Sequence, residues 1–205
     1  MNRRKFVSMA GGLVFAETVS RLNAAENTRP GPILVEAGRR VDASDATIAR
    51  FPAQNVPAVR AKIERELRVQ KPISIVCSAA CGADLLLLDV TEEMHIQRYI
   101  LLPSKPDEFR SSSVTDRPGD WGELYNRALS TSTVKVLNLP QGQEGYLETN
   151  LKLLHQAQEL ANQKRTSVKA LVIWDNKSRG PDDVTAHFLE QARLRKMPIL
   201  EIYTL

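Results

Sequence analysis

Short apolar runs alternate with segments of helical spacing along most of this 205-residue chain. Residues 33–35 form the first apolar run, and residues 56–69 then carry apolar side chains every three or four positions. Further strands are predicted at residues 73–77, 99–102, 134–137, 170–174 and 198–203, and further helices at residues 82–94, 121–130, 146–163 and 184–195. Continuous apolar strands that alternate with helices are typical of a mainly parallel sheet covered on both faces. The sequence therefore predicts an α/β fold of three layers with five to six strands.

This Rossmann-like order of elements places ligands outside the carboxyl ends of the strands. Residues 78–88 (SAACGADLLLL) directly follow the strand at 73–77, so small residues form the turn that opens the next helix. Amides at such a turn, together with the positive end of the helix dipole, suit an anionic group such as a phosphate. The same residues are also consistent with a tight turn that needs small side chains only for packing.

Two other strand ends carry candidate ligand groups. Residues 107–114 (DEFRSSSV) place an arginine beside three hydroxyls, which fits either an oxyanion clamp or a solvated loop with a helix cap. Trp174 and Asp175 end an apolar strand. Asp175 is able to accept a hydrogen bond from a ribose hydroxyl, and Trp174 either stacks on a base or belongs to the core.

Residues 1–25 differ from the rest of the chain. Arg3 and Arg4 precede Phe6, a short and only moderately apolar stretch, and small residues near Ala25. This segment resembles a twin-arginine export signal, although a basic amphipathic arm would have a similar composition. We therefore predict a leader and linker over residues 1–31 and a folded domain over residues 32–205. A functional signal implies export to the periplasm, and the alternative is a cytoplasmic protein.

The charge and the metal-binding residue types argue against several classes of function. The formal charge is +4, of which the first 25 residues contribute +3, and a nearly neutral body argues against a nucleic-acid partner. No run of ~20 apolar residues is present for stable membrane insertion. The three histidines lack Cys or carboxylate neighbours at ligand spacing, so no metal and no cofactor are expected. Cys77 and Cys81 are expected to be small buried residues. Two alternatives stay open: a disulfide between them if the protein is exported, and a reactive thiol at Cys81, which stands at a helix start.

Four segments in this order resemble the SLOG superfamily of Rossmann-like domains: residues 38–42 (GRRVD) with 50–52 (RFP), residues 78–84 (SAACGAD), residues 102–103 with 108–109 and 113–114, and residues 172–175 (VIWD). The similarity covers about residues 32–203, and the second segment is the most specific. The superfamily is related to the LOG-type phosphoribohydrolases, and many members are thought to bind nucleotides or NAD-derived nucleotides as sensors coupled to an effector. The resemblance implies a ligand site lined by Gly38, Asp42, Ser78, Gly82, Asp84, Arg110 and Asp175, and the predicted ligand-binding set also includes Arg39, Ala79, Ser113 and Thr185.

The chain departs from the superfamily pattern at two loops. Arg39 stands where related sequences often have His, and residues 180–185 (GPDDVT) replace a Gly-Gly-Thr phosphate cradle. Asp182 and Asp183 add negative charge where a phosphate would lie, and the glutamate that LOG-type hydrolysis needs after the threonine is missing until Glu190. The predicted function is therefore non-catalytic binding of a nucleotide or of an NAD- or ADP-ribose-like derivative, as a sensor or scaffold. The alternative is hydrolysis of an N-glycosidic or phosphoester bond, with Asp42, Asp84, Glu108 and Asp175 as the acid–base candidates.

Overall fold

The computed structural model describes residues 30–205, in which six strands alternate with helices. The strands are β1 (Ile33–Gly38), β2 (Ser74–Cys77), β3 (Gln97–Leu102), β4 (Thr133–Val136), β5 (Val168–Trp174) and β6 (Ile199–Tyr203). The α-helices are α1 (Val56–Gln70), α2 (Ala83–Glu93), α3 (Pro106–Ser113), α4 (Trp121–Ser130), α5 (Gln143–Lys164) and α6 (Val184–Leu194), and a short 3-10 helix (Ala53–Asn55) precedes α1. The predicted leader lies outside the described residues.

The six strands form one parallel sheet in the order β4-β3-β2-β1-β5-β6. The predicted fold class, a Rossmann-like α/β fold with a parallel sheet, is confirmed. The chain builds the sheet outward in one direction from β1 to β4 and then returns to the other side of β1 with β5. Ligands of open parallel sheets bind where the strand order reverses, so a ligand is expected at the carboxyl ends of β1 and β5.

Two apolar clusters cover the two faces of the sheet. Helices α1 to α4 pack on one face, where Leu34, Ile75 and Ile100 of the sheet are fully buried. Helices α5 and α6 pack on the other face, against Val35, Val76 and other strand residues. Alternating side chains of one strand serve opposite faces, which explains why the strands read as continuous apolar runs. Within residues 30–205, no helix combines the length and apolar character needed to cross a bilayer.

Helix α3 is the element that the sequence pattern did not predict. Pro106 stands in its first turn with Asp107 and Glu108, a start typical of helices. Only Phe109 and Ser113 of its eight residues are buried, so the apolar repeat is too short to recognise. Helix α3 nevertheless matters for function, because it brings both buried residues to the carboxyl edge of the sheet.

Candidate functional site

A cleft of about 340 Å³ lies at the carboxyl edge of the sheet. The end of β1 and the loop after it form one side, the turn after β2 and helix α3 form another, and the first turns of α5 and α6 close it. Its volume is at the lower end of the range of small-molecule sites, about 300–1,000 Å³. The cleft is therefore suited to a small molecule rather than to an extended ligand.

The buried end of the cleft carries two carboxyl groups. Glu36 of β1 has no exposed surface, and neither of its carboxylate oxygens has a hydrogen-bond partner among the described residues. Asp84, in the first turn of α2, is 6% exposed and accepts a hydrogen bond from the amide of Ala80 at 3.1 Å. Both residues line the cleft. A pair of buried carboxyl groups in a cleft is typical of a functional site, because burial and mutual repulsion oppose ionisation of both.

These two carboxyl groups hold protons more strongly than ordinary carboxylates. Burial is the larger reason that the pKa of Glu36 lies well above its usual value, and the charge of Asp84 adds to it. Burial also raises the pKa of Asp84 to about 7, although its amide bonds and the charge of Arg40 act in the opposite direction. Burial therefore favours the protonated form of Glu36, and a protonated carboxyl group can both donate and accept a hydrogen bond.

Four arginines line the exposed margin of the cleft, and they differ in how firmly they are paired. Arg40 makes two short bonds to Asp116, at 2.9 and 2.8 Å, and Arg50 contacts Asp175 at 2.6 Å. Arg117 lies 3.9 Å from Asp116, and its Nε has no hydrogen-bond partner among the described residues.

The fourth arginine, Arg179, is 51% exposed and lies 3.7 Å from Asp183. At that distance its guanidinium makes no short hydrogen bond to the carboxylate. Arg117 and Arg179 therefore keep hydrogen-bonding capacity that an anionic ligand could use.

A buried ion cluster fills the point where the strand order reverses. Nε of Arg39 donates to Asp175 at 2.8 Å, and its two terminal nitrogens donate to Asp183 at 2.6 and 2.8 Å. Asp183 also caps α6, where it accepts from the amides of Thr185 and Ala186. Burial alone raises the pKa of Asp183, but its hydrogen bonds, chiefly from Arg39, lower it to about 2. The carboxylate of Asp183 thus takes the place at the N-terminus of α6 where a phosphate would otherwise bind.

The turn after β2 does not offer the free amides that the sequence predicted. The amide of Ala80 donates to Asp84, that of Cys81 donates to Ser113 at 3.0 Å, and that of Ala83 donates to Arg39 at 3.1 Å. These three amides are therefore used within the protein and are not available to a phosphate. The turn instead joins the loops after β1 and β3.

Gly82 shows why this turn needs a small residue. Its φ is +98°, and a Cβ at this position would lie 2.7 Å from both the carbonyl oxygen of Arg39 and the amide nitrogen of Val41. A glycine is required because the two loops approach each other here and because the backbone is left-handed. This geometry agrees with the packing role that the sequence left as an alternative.

The structure brings most of the predicted ligand-binding residues to the cleft. The cleft is lined by Gly38, Arg39, Asp42, Ser78, Asp84, Ser113 and Thr185. It is not lined by Ala79, Gly82, Arg110 or Asp175. Ala79 is buried in the core, and Asp175 is occupied by Arg39 and Arg50. The guanidinium of Arg110 lies against Gly122 of α4, so it does not converge with the neighbouring serines.

The polar side chains along the cleft wall are held by specific bonds. Asp42 accepts from the amides of Arg50 and Phe51, and Ser78 donates to the carbonyl of Leu101. Ser113 of α3 and Tyr146 of α5 share a hydrogen bond of 2.9 Å. Of the three hydroxyls expected to form a clamp, only Ser113 faces the cleft. Those of Ser111 and Ser112 donate back to their own helix.

Three residues whose roles the sequence left open, Trp174, Cys77 and Cys81, belong to the core. Trp174 is 6% exposed, its indole nitrogen donates to Glu201 at 2.9 Å, and the guanidinium of Arg39 lies 5.8 Å from the ring centroid. Stacking on a ligand base is therefore excluded for this side chain. Cys77 and Cys81 are free and buried. Burial raises the pKa of both thiols, that of Cys81 to about 12, so Cys81 is not an activated thiol.

Sequence reasoning missed the most distinctive residue of the site, Glu36. Its one signal was a charge inside an otherwise apolar strand, ILVEAG. Arg117, Tyr146 and Asn150 also line the cleft and were not predicted. Among residues 30–205, no group of His, Cys, Asp and Glu has an arrangement suited to a metal ion.

Comparison with known proteins gives structural neighbours of low identity. DNA processing protein A from Streptococcus pneumoniae has a TM-score of 0.44 at 12% identity, over 83% of this chain and 58% of that protein. DNA processing protein A from Helicobacter pylori has a TM-score of 0.34 at 11% identity, over 80% and 74%. SuiB from Streptococcus suis, bound to S-adenosylmethionine, has a TM-score of 0.28 at 11% identity, over 98% and 55%. No family model and no curated protein matches the chain.

One sequence-based prediction is corrected by these neighbours. The Helicobacter pylori protein is described by its single-stranded DNA binding mode, which conflicts with the prediction that nucleic acid is not a partner. The prediction that excluded a nucleic-acid partner is therefore wrong. It assumed that a nearly neutral body lacks an electrostatic basis for binding a polyanion, although net charge says nothing about local groups of arginines.

Proposed function

We propose that this chain is a SLOG-like domain whose cleft binds a nucleotide or a nucleotide-derived small molecule as a sensor or scaffold, without catalysis. The observation that carries the proposal is the opposite chemistry of the two ends of the cleft. Hydrogen-bonding carboxyl groups lie at the buried end, and arginines with spare donors lie at the exposed margin. A nucleotide has the same division, since its base offers hydrogen-bond donors and acceptors and its phosphate carries the charge.

The arginines support a phosphate at the margin of the cleft. Arg117 and Arg179 have no short carboxylate bond, and guanidinium groups bind phosphate with charge-assisted hydrogen bonds. The N-terminus of α6 is capped by Asp183, and the turn after β2 uses three of its amides internally. The phosphate therefore depends on arginine side chains rather than on backbone amides.

Calorimetric titration with AMP, adenosine and ADP-ribose tests the proposal. AMP is expected to bind more tightly than adenosine. Arg117→Met combined with Arg179→Met is expected to weaken AMP about 10- to 100-fold, the loss typical of a charged hydrogen bond, while adenosine is unaffected. Arg68→Met is the matched control, because Arg68 is an exposed residue of α1 that pairs only with Glu64 within its own helix.

Two further measurements separate this proposal from other functions. Titration of a single-stranded oligonucleotide shows whether a polymer is the true ligand, and tight oligonucleotide binding without AMP binding would contradict the proposal. Chromatography of AMP after incubation is expected to show no free adenine. Release of adenine by the wild-type protein would replace the sensor with the hydrolase alternative.

A further inference from the structure

Glu36 differs from the other buried charged residues among residues 30–205. Arg39, Asp175 and Asp183 are paired with one another, and Arg98 donates to two backbone carbonyls. Glu36 alone is fully buried with both side-chain oxygens lacking a hydrogen bond. Buried polar groups in native proteins almost always have partners, so an exception in the wall of a cleft calls for a partner that binds there.

Glu36 lies in the wall of the cleft, next to the space that a ligand would occupy. Glu36 is the one charged residue of β1, and it lines the cleft together with Asp84. A Cβ added to Gly38 would lie 2.9 Å from Oε1 of Glu36, so only a glycine at position 38 leaves room beside the carboxyl group. A neutral carboxyl group presents one donor and one acceptor side by side. Nucleobases present the complementary pattern along their hydrogen-bonding edges.

We propose that Glu36 is the base-reading residue of the nucleotide site, with its carboxyl group donating one hydrogen bond to the nucleobase edge and accepting another from it. This inference rests on the proposed function and adds the orientation of the ligand. The base lies at the buried end of the cleft against Glu36, and the phosphate lies at the margin against Arg117 and Arg179.

Asp84 acts as a positioning residue for this recognition. The titratable groups that face Glu36 are Asp84 of α2 and the thiol of Cys77 in β2, whereas its neighbour on β5, Leu171, is apolar. The negative charge of Asp84 favours the protonated form of Glu36, in addition to the larger effect of burial. Arg40 favours ionisation of Asp84 itself. Since only the protonated carboxyl group donates, binding of a nucleobase should weaken as Glu36 ionises.

Three variants of the full chain test the inference by calorimetric titration with AMP, GMP, CMP, UMP and ribose 5-phosphate between pH 6 and pH 9. Glu36→Gln keeps a donor and an acceptor without a charge, and Glu36→Leu removes both. Glu123→Gln is the matched control, because Glu123 is exposed on α4 and does not line the cleft. Urea unfolding of each variant confirms that it is folded.

The wild-type protein is expected to bind at least one of the four nucleotides more tightly than ribose 5-phosphate. That affinity should fall up to tenfold per pH unit once Glu36 ionises. Glu36→Gln should bind this nucleotide within about threefold of the wild type at pH 6 and lose the pH dependence. Glu36→Leu should weaken it at least tenfold, while ribose 5-phosphate binds all variants equally. Asp84→Asn should shift the pH midpoint downward.

Each contrary outcome has a distinct meaning. Unchanged nucleotide binding by Glu36→Leu would overturn the base-reading role and leave the proposed function intact. An equal loss in Glu36→Gln and Glu36→Leu would also overturn it, because the site would then require an ionised carboxylate and hence a cationic ligand group. Failure of all four nucleotides to bind would overturn the proposed function and this inference together.

Discussion

Replacement of Arg39 by methionine tests the buried ion cluster at the carboxyl edge of the sheet. Methionine keeps much of the apolar volume of the side chain but removes the guanidinium that donates to Asp175 and Asp183. Removal of one partner of a buried ion pair typically costs about 3–5 kcal/mol, because a charge remains in the interior without compensation. Arg40→Met is the control in the adjacent position, because the ion pair of Arg40 with Asp116 is about one-third exposed.

The remaining bonds set the expected magnitude for Arg39→Met. Asp175 keeps its bond from Arg50 at 2.6 Å, and Asp183 keeps the amides of Arg179, Thr185 and Ala186. The free energy of unfolding should therefore fall by about 3 kcal/mol, the lower end of the range for a broken buried ion pair. For a domain of this size the melting temperature should fall by about 6–12 °C. Arg40→Met should cost no more than about 1 kcal/mol.

Urea unfolding monitored by circular dichroism measures both variants. The difference in the free energy of unfolding between the wild type and Arg39→Met should also become smaller as the pH is lowered from 7 to 4. Without the bond from Arg39, burial raises the pKa of Asp183, so mild acid removes the unpaired charge; in the wild type that pKa is about 2. Equal losses in Arg39→Met and Arg40→Met, or a deficit that does not change with pH, would refute the reasoning.

Three other predictions concern the carboxyl pair, the turn after β2 and the leader. Because Glu36 and Asp84 have raised pKa values, the folded state binds more protons, and urea midpoints of the wild type should fall between pH 5 and pH 8. Glu36→Gln should flatten this profile; an equally steep profile would contradict the pKa assignment. Gly82→Ala should destabilise the fold by more than Gly142→Ala, since both have positive φ but only Gly82 lies against backbone; equal losses in thermal melts would contradict the packing role. Finally, Arg3→Lys with Arg4→Lys should abolish export of a reporter fused to residues 1–30, and continued export would exclude the twin-arginine route.

The fold could be predicted because its signal is local. Apolar runs such as the one ending at Trp174 and helical repeats such as Val59-Ile63-Leu67 reflect burial on the two faces of the sheet. Every strand and helix that the sequence predicted is present. Helix α3 was not predicted because only two of its side chains are buried.

The candidate site was predictable only in part, because its chemistry depends on contacts between distant residues. Arg39 pairs with Asp175 and Asp183 across 136 and 144 positions, and no single sequence shows such a pairing. The residues at strand ends could be located, but the direction of a side chain could not. Arg110 turns toward α4, whereas Ser113 of the same helix faces the cleft. Glu36 was overlooked because one charge hardly alters an apolar strand pattern.

A crystal structure of the protein in complex with whichever of AMP, GMP, CMP and UMP binds most tightly tests the central claim most directly. We expect the phosphate within hydrogen-bond distance of Arg117 or Arg179 and an edge of the base within hydrogen-bond distance of Glu36. The bonds among Arg39, Asp175 and Asp183 should be unchanged in the complex. A phosphate bound at the N-terminus of α6 in place of Asp183, or a base outside the cleft, would contradict the proposed site.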